Sequence, residues 1–171
     1  LGALPEINAN GDYLTSEFDG AEIIISKNSR ITKRNIRTAN GYIHIIDKVL
    51  DPITKDIYSV TAANPSFKIF TKGLELTGIK DTLQIISFPY GKTTARTRFT
   101  LLAVADTTYN RFGIYSVEDL IKWCGADVES LTDINNPFYR YIEYHCLTGS
   151  YYLSDLNTGL YPILSHDNNL M

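Results

Sequence analysis

Three histidines (His44, His145, His166), two cysteines (Cys124, Cys146) and nineteen carboxylates are the side chains that could do chemistry here. The histidines lie far apart and in three different expected elements, so their spacing builds no metal site. Cys146 follows His145 directly. On a helix, adjacent residues point about 100° apart, so this pair does not face itself as nucleophile and base. The two cysteines carry no metal-ligand spacing and allow one bridge or two free thiols; free thiols are the preferred reading. No phosphate-cradling glycine loop, no HExxH and no GxSxG occurs. Asp47 and Asp106 are the acids in the most patterned settings, and nothing in the sequence makes them converge as paired acids must. The expectation is no enzyme, no cofactor and no bound metal.

The elements that would position these groups follow from composition and pattern. The chain has 171 residues, 44% hydrophobic and 20% charged, which is the composition of one globular domain. Sixteen basic against nineteen acidic residues give −3, so no nucleic-acid partner is expected. Twelve tyrosines against seven phenylalanines favour half-wet sheets or a contact surface. No apolar run approaches the roughly 18 residues of a membrane span. The chain opens at Leu1 without a signal segment, which suggests an excised piece whose signal or lipid anchor lies upstream.

Ala21–Ser26 (AEIIIS) reads as a strand buried on both faces, and Tyr42–Leu50 (YIHIIDKVL) as a second, stopped by Asp51-Pro52. Between them, Lys27, Arg30, Lys33, Arg34 and Arg37 crowd a segment read as loop, short strand and turn. Asn64-Pro65, Ser116 and Asn136-Pro137 are helix starts, because an Asn or Ser side chain caps free N–H groups and Pro fits the first turn. Phe67, Phe70 and Leu74 follow the first at helical spacing, and Ile79–Ile86 reads as another short helix. Pro89–Thr97 reads as a polar loop and Phe99–Ala105 (FTLLAVA) as a buried strand. Ser150–Leu153 and Gly159–Leu164 read as strands. Strands at the ends and helices between them make the class α+β.

Asn40–Leu50 (NGYIHIIDKVL) followed by Asp51-Pro52 resembles the C-terminal signature of fasciclin-type domains. FTLLAVADTTYNRFG (Phe99–Gly113) is similar to the family's N-terminal signature, with Asp106 and Tyr109 at its acidic and aromatic positions; Val104 and Ala105 replace the usual Pro and Thr. YRYIEYHCLTGSYYLSDL (Tyr139–Leu156) resembles the family's Tyr-His segment, with Tyr144 and His145 as the pair. The order is unusual, because the closing signature comes first. Residues 1–52 therefore look like the C-terminal segment of one domain and 56–171 like the N-terminal part of the next. Together they complete one domain, either permuted within a chain or with tails exchanged between two chains. The resemblance implies an α+β wedge: a β-sandwich of about seven strands with helices packed along one edge.

It also implies a non-enzymatic adhesion module, one unit of a tandem bacterial surface protein, extracellular and lipid-anchored, binding protein or polysaccharide. The rivals are a glycan-processing enzyme and a structural spacer. Asn40, Gly41, Ile43, His44, Asp47, Asp106 and Tyr109 are the signature residues, with structural work expected of them. His44 is expected in a buried central strand and Asp47 on backbone N–H groups. His145 is expected buried and hydrogen-bonded. Tyr144, His145, Tyr151 and Tyr152 are candidate contact residues, with at least one of the last two exposed by strand alternation. Animal members associate an acid before the Asn-Gly string with integrin binding. Here Arg34, Asn35, Ile36 and Arg37 occupy that stretch, and a neutral amide between cations replaces poorly a carboxylate that must hold a divalent ion. These cations suit an acidic or saccharide partner instead.

Overall fold

The structure is a computed structural model that describes residues 2–9, 11–164 and the backbone of 169–170. Two compact units divide the chain: Leu1–Thr54 with Tyr152–Asn157, and Lys55–Tyr151 with Thr158–Met171. Helices and antiparallel strands are both present, and the class is α+β as expected.

The first unit is a meander of β1 (Gly2–Ile7), β2 (Tyr13–Asp19), β3 (Glu22–Ile25), β4 (Ser29–Arg37) and β5 (Tyr42–Ile46), each hydrogen-bonded to the next. Residues paired across a ladder share a face, and each strand alternates between faces. Phe18 opposes Ile23, Ser16 opposes Ile25, Ile25 opposes Ser29, and Ile31 opposes Ile46. One face therefore gathers Leu14, Phe18, Ile23, Ile25, Ile31 and Ile46. The other pairs Glu17 with Ile24 and Ile24 with Arg30, Asp19 with Glu22, and Lys33 with Ile45. Across that second face Arg30 Nη1 meets Glu22 Oε2 at 3.0 Å.

Such division into an apolar and a charged face is the pattern of a sheet that covers a core on one side. Yet from Gly2 to Ile46 Ser29 alone is buried among the described residues, and Phe18 is 77% exposed. The expected burial of Ile23–Ile25 on both faces is corrected: all three are half-buried, and Ile24 lies with the charges. The segment read as loop, short strand and turn holds instead the nine-residue strand β4. It was hard to read because its ladder with β5 slips twice, between Ile31 and Lys33 and between Lys33 and Ile36. Asn35, at φ 61°, sits in the second slip, in the left-handed region that Asn tolerates better than most residues.

The second unit holds α1 (Ile57–Ala62), α2 (Lys68–Leu76), α3 (Ile79–Leu83), α4 (Asp106–Arg111), α5 (Val117–Trp123) and α6 (Pro137–Tyr144). The starts of α2, α5 and α6 are those the caps foretell, whereas α1 and α4 have no counterpart in the sequence reading. Asn64 Oδ1 accepts from the Ser66 N–H at 3.0 Å before a 3-10 turn at Pro65–Phe67 that runs into α2. Ser116 and Asp119 form a reciprocal capping box on α5. Asn136 Oδ1 accepts from the Phe138 N–H at 2.9 Å, and its amide donates to Asp127 O and Ser130 Oγ.

The core lies between these helices. Phe70, Leu74, Leu83, Leu120, Phe138 and Ile142 are fully enclosed, each contributing about 1.5–3 kcal/mol of burial. Gly73 on α2 lets α6 approach closely, since a Cβ there would stand 2.6 Å from Ile142 Cδ1.

Three two-stranded ladders complete this unit: β6 (Ser87–Tyr90) with β7 (Thr93–Arg96), β8 (Phe99–Leu101) with β9 (Cys146–Thr148), and β10 (Tyr161–Pro162) with β11 (Asn169–Leu170). The first is a hairpin where a polar loop was expected; Gly91, at φ 60°, makes its turn. FTLLAVA is a strand only over Phe99–Leu101 and half-buried, not a long buried strand. Residues 150–153 form coil and turn rather than a strand.

Candidate functional site

The signature residues do structural work. In the first unit the β4–β5 hairpin closes through the Thr38 N–H on Gly41 O at 2.9 Å, with Asn40 and Gly41 in the turn. Asp47 Oδ1 accepts the Arg30 N–H at 2.7 Å, and the Asp47 N–H donates to Arg30 O, so the acid extends the β4–β5 ladder. In the second unit Asp106 Oδ2 and Oδ1 accept the Lys68 and Ile69 N–H groups at 3.2 and 3.0 Å, which caps α2 from a distant segment. Tyr109 is buried, its hydroxyl 3.0 Å from that of Tyr141, and burial raises its pKa. Asp47 and Asp106 are thus each engaged by backbone N–H groups.

His44 is corrected. It lies on β5, the outer strand of the meander, and is exposed; its Nδ1 accepts the Asn35 N–H at 3.4 Å. The composition of β5 is that of a central strand, with Ile43 and Ile45 on one face and Tyr42, His44 and Ile46 on the other. The meander ends there, however, and Ile43 and Ile45 stay exposed. Arg34, Asn35 and Arg37 are exposed beside it and Ile36 is half-buried.

His145 caps α6 and is half-buried, with Nδ1 2.7 Å from Tyr141 O and its ring edge-on to Phe70. Burial lowers its pKa. Tyr144 is exposed. Tyr151 and Tyr152 are both half-buried, so the expected exposure of one of them is corrected: they lie in coil, where alternation does not operate. Tyr151 packs edge-on against Tyr161 at 5.2 Å, and its N–H donates to Thr100 Oγ1. Cys124 and Cys146 are free thiols, raised by burial to about 11 and about 12. His166 lies outside the described residues. Among the described residues no group of three His, Cys, Asp or Glu gathers to hold a metal. No helix there is long and apolar enough to cross a membrane.

Two concavities escaped the sequence reading. One, of about 450 Å³, lies in the first unit and is lined in part by Tyr13, Lys27, Asp51 and Tyr152. The other, of about 200 Å³, is an apolar cup in the second unit between Trp123, Tyr141 and Phe112. No sequence signal marks the first; in the structure the turn after β3 beside it holds Ser26 and Lys27 at φ 50° and 69°.

Residues 3–52 match the family model of the Fasciclin domain. This segment is similar to the fasciclin domain. It contains the whole five-stranded meander apart from its first residue. No curated protein matches the chain. Among solved structures, a FAS1 domain pair from the insect cell adhesion molecule Fasciclin I is similar over 92% of this chain at 17% identity, with a TM-score of 0.44. The chain spans 52% of that structure's length. The matched segment is thus the part with the half-buried apolar sheet face, the outer strand β5 and the cationic strand β4.

Proposed function

We propose that the chain is a non-enzymatic adhesion or interaction module, one unit of a tandem fasciclin-type surface protein of bacterial origin. Its placement outside the cell, on a lipid anchor carried by another part of the protein, belongs to the same reading. It works by lending the sheet of residues 2–46 to a neighbouring unit, either from the same parent protein or from a second copy. Two chains in isolation then exchange these tails and form a dimer.

The observation that carries the reading is the unfinished sheet. Leu14, Phe18, Ile23, Ile25, Ile31 and Ile46 share one face, yet none of them is buried. At the outer edge, β5 carries Ile43 and Ile45 exposed, and the strand order gives it a single neighbour. An apolar face left only half-buried, with Phe18 exposed on it, beside an open strand edge marks a place where another polypeptide docks. The cations of β4 flank it and would steer an acidic partner.

Light scattering on the purified chain, together with clumping of chain-coated beads, tests the reading. A dimer whose mass halves in Phe18→Asp, and beads that clump with the parent but not the variant, are expected. A monomer throughout, with beads that stay dispersed, would overturn it.

A further inference from the structure

The first unit contains a cavity that its strand ladders do not require. It opens where the mouth of the β1–β2 hairpin, the turn after β3 and residues 50–53 meet, and Tyr152 forms part of its wall. At about 450 Å³ it lies in the size range of small-molecule sites. We infer that it is a saccharide site, selective for neutral hexopyranose disaccharide units. The inference rests on the reading of the chain as a contact module, but not on the exchange of tails.

The chemistry of the lining points to this class. A pyranose has one apolar face of C–H groups and a rim of hydroxyls that both donate and accept. The lining supplies a match for each. Tyr13 and Tyr152 bring aromatic rings with polar tips. Pro52 and Ile53 bring aliphatic surface. Asp12 and Asp51 accept from hydroxyls, while Lys27 and Asn8 donate to them. A wholly apolar ligand would strand these charged groups against itself, at the cost of their hydration.

The charge balance sets neutral sugars apart from acidic ones. Two carboxylates against one ammonium make the lining net negative, which repels a uronate or sulfate. The cations of β4 are not part of it.

Position and order also fit. Lys27 is exposed and has no ion-pair partner among the described residues. The turn that carries it is strained, with Ser26 and Lys27 both in the left-handed region, where glycine or asparagine is the ordinary choice. Such strain recurs at ligand clamps. Asp51 is held in place by the Asn28 amide, which donates to Oδ2 at 3.1 Å.

The test uses the full chain, labelled with ¹⁵N and titrated with cellobiose, maltose, lactose and N,N′-diacetylchitobiose, and with a uronic-acid disaccharide for comparison. Expected is binding of at least one neutral probe, with amide shifts concentrated at Tyr13, Lys27, Asp51 and Tyr152. Asp51→Asn and Tyr152→Ala should each weaken it by about tenfold or more, about 1.4 kcal/mol. Lys27→Met, a change on an exposed turn that leaves the fold alone, should weaken it by a smaller factor. The oligomeric state should stay the same in all three, which separates this site from the docking sheet. Absence of shifts at these amides with every neutral probe would overturn the inference. So would tighter binding of the uronic-acid probe, or affinity unchanged in Asp51→Asn and Lys27→Met.

Discussion

Gly73→Ala tests the packing of the helical core. In an exposed helix interior this change stabilises by about 1 kcal/mol, because alanine is the better helix former. At Gly73 the new methyl carbon would lie 2.6 Å from Ile142 Cδ1, 3.3 Å from Ile142 Cγ1 and 3.4 Å from Phe138 Cζ. Ordinary contact begins near 3.5 Å, so Ile142 must move by most of an ångström. Ile142 and Phe138 are both fully buried, so there is no open space to receive the shift. Overpacking of this kind costs about 1–3 kcal/mol. Set against the propensity gain, the net is a destabilisation of about 1 kcal/mol. Ile142→Val removes the offending Cδ1 and costs about 0.5–1.5 kcal/mol by itself. In the double variant the clash is gone while the alanine's propensity gain remains. The pair should therefore be more stable than the sum of the single changes by about 1–2 kcal/mol. Urea unfolding followed by far-UV circular dichroism measures all four corners of the cycle. Gly73→Ala stabilising by itself, or a cycle that closes with no coupling, would refute the close approach of α2 and α6.

The remaining predictions follow from local geometry. Asn136→Ala should cost about 1–2 kcal/mol in chemical denaturation, because it removes a buried cap and its part-buried bonds to Asp127 O and Ser130 Oγ; Asn64→Ala, an exposed cap, should cost about 1 or less. Burial depresses the His145 pKa, so below its ordinary value of 6.5 the unfolded chain binds the proton first. Its contribution to stability is then full above pH 6.5 and is lost as pH falls towards the folded pKa, and His145→Gln should flatten that fall in pH-resolved melts. Cys146, raised to about 12 and fully buried, should react with iodoacetamide at pH 8 only as fast as the unit opens; prompt labelling or an intact-mass signature of a Cys124–Cys146 bridge would contradict the free buried thiol.

What the sequence made legible was local. Asn64-Pro65, Ser116 and Asn136-Pro137 each announce a helix because capping and proline geometry are settled within a few residues. The alternation of YIHII and the length of its run gave β5, and Asp47 on a backbone N–H followed from its place at the strand end. What escaped depends on partners distant in sequence. β4 has Ile31 and Ile36 five residues apart, out of step with alternation, because two ladder slips intervene. The Ser87–Arg96 hairpin is short and its Phe88 and Tyr90 stay exposed, flanking Pro89, so no buried apolar period marks it. His44 has the neighbours of a central strand, but centrality belongs to the sheet order, which no local pattern carries. The saccharide cavity joins residues as distant as Asn8 and Tyr152 and left no trace in the local sequence pattern.

Hydrogen exchange at the β5 amides, Tyr42–Ile46, tests the docking sheet most directly. In an isolated meander these residues form the outer strand, and the amides turned away from β4 exchange freely. Docking of another polypeptide along that edge protects them, and by mass action the protection must rise with chain concentration. The account predicts that the outward-facing amides slow by an order of magnitude or more as the chain is concentrated, and that Phe18→Asp abolishes the effect. Exchange at those amides that is fast and independent of concentration would contradict it.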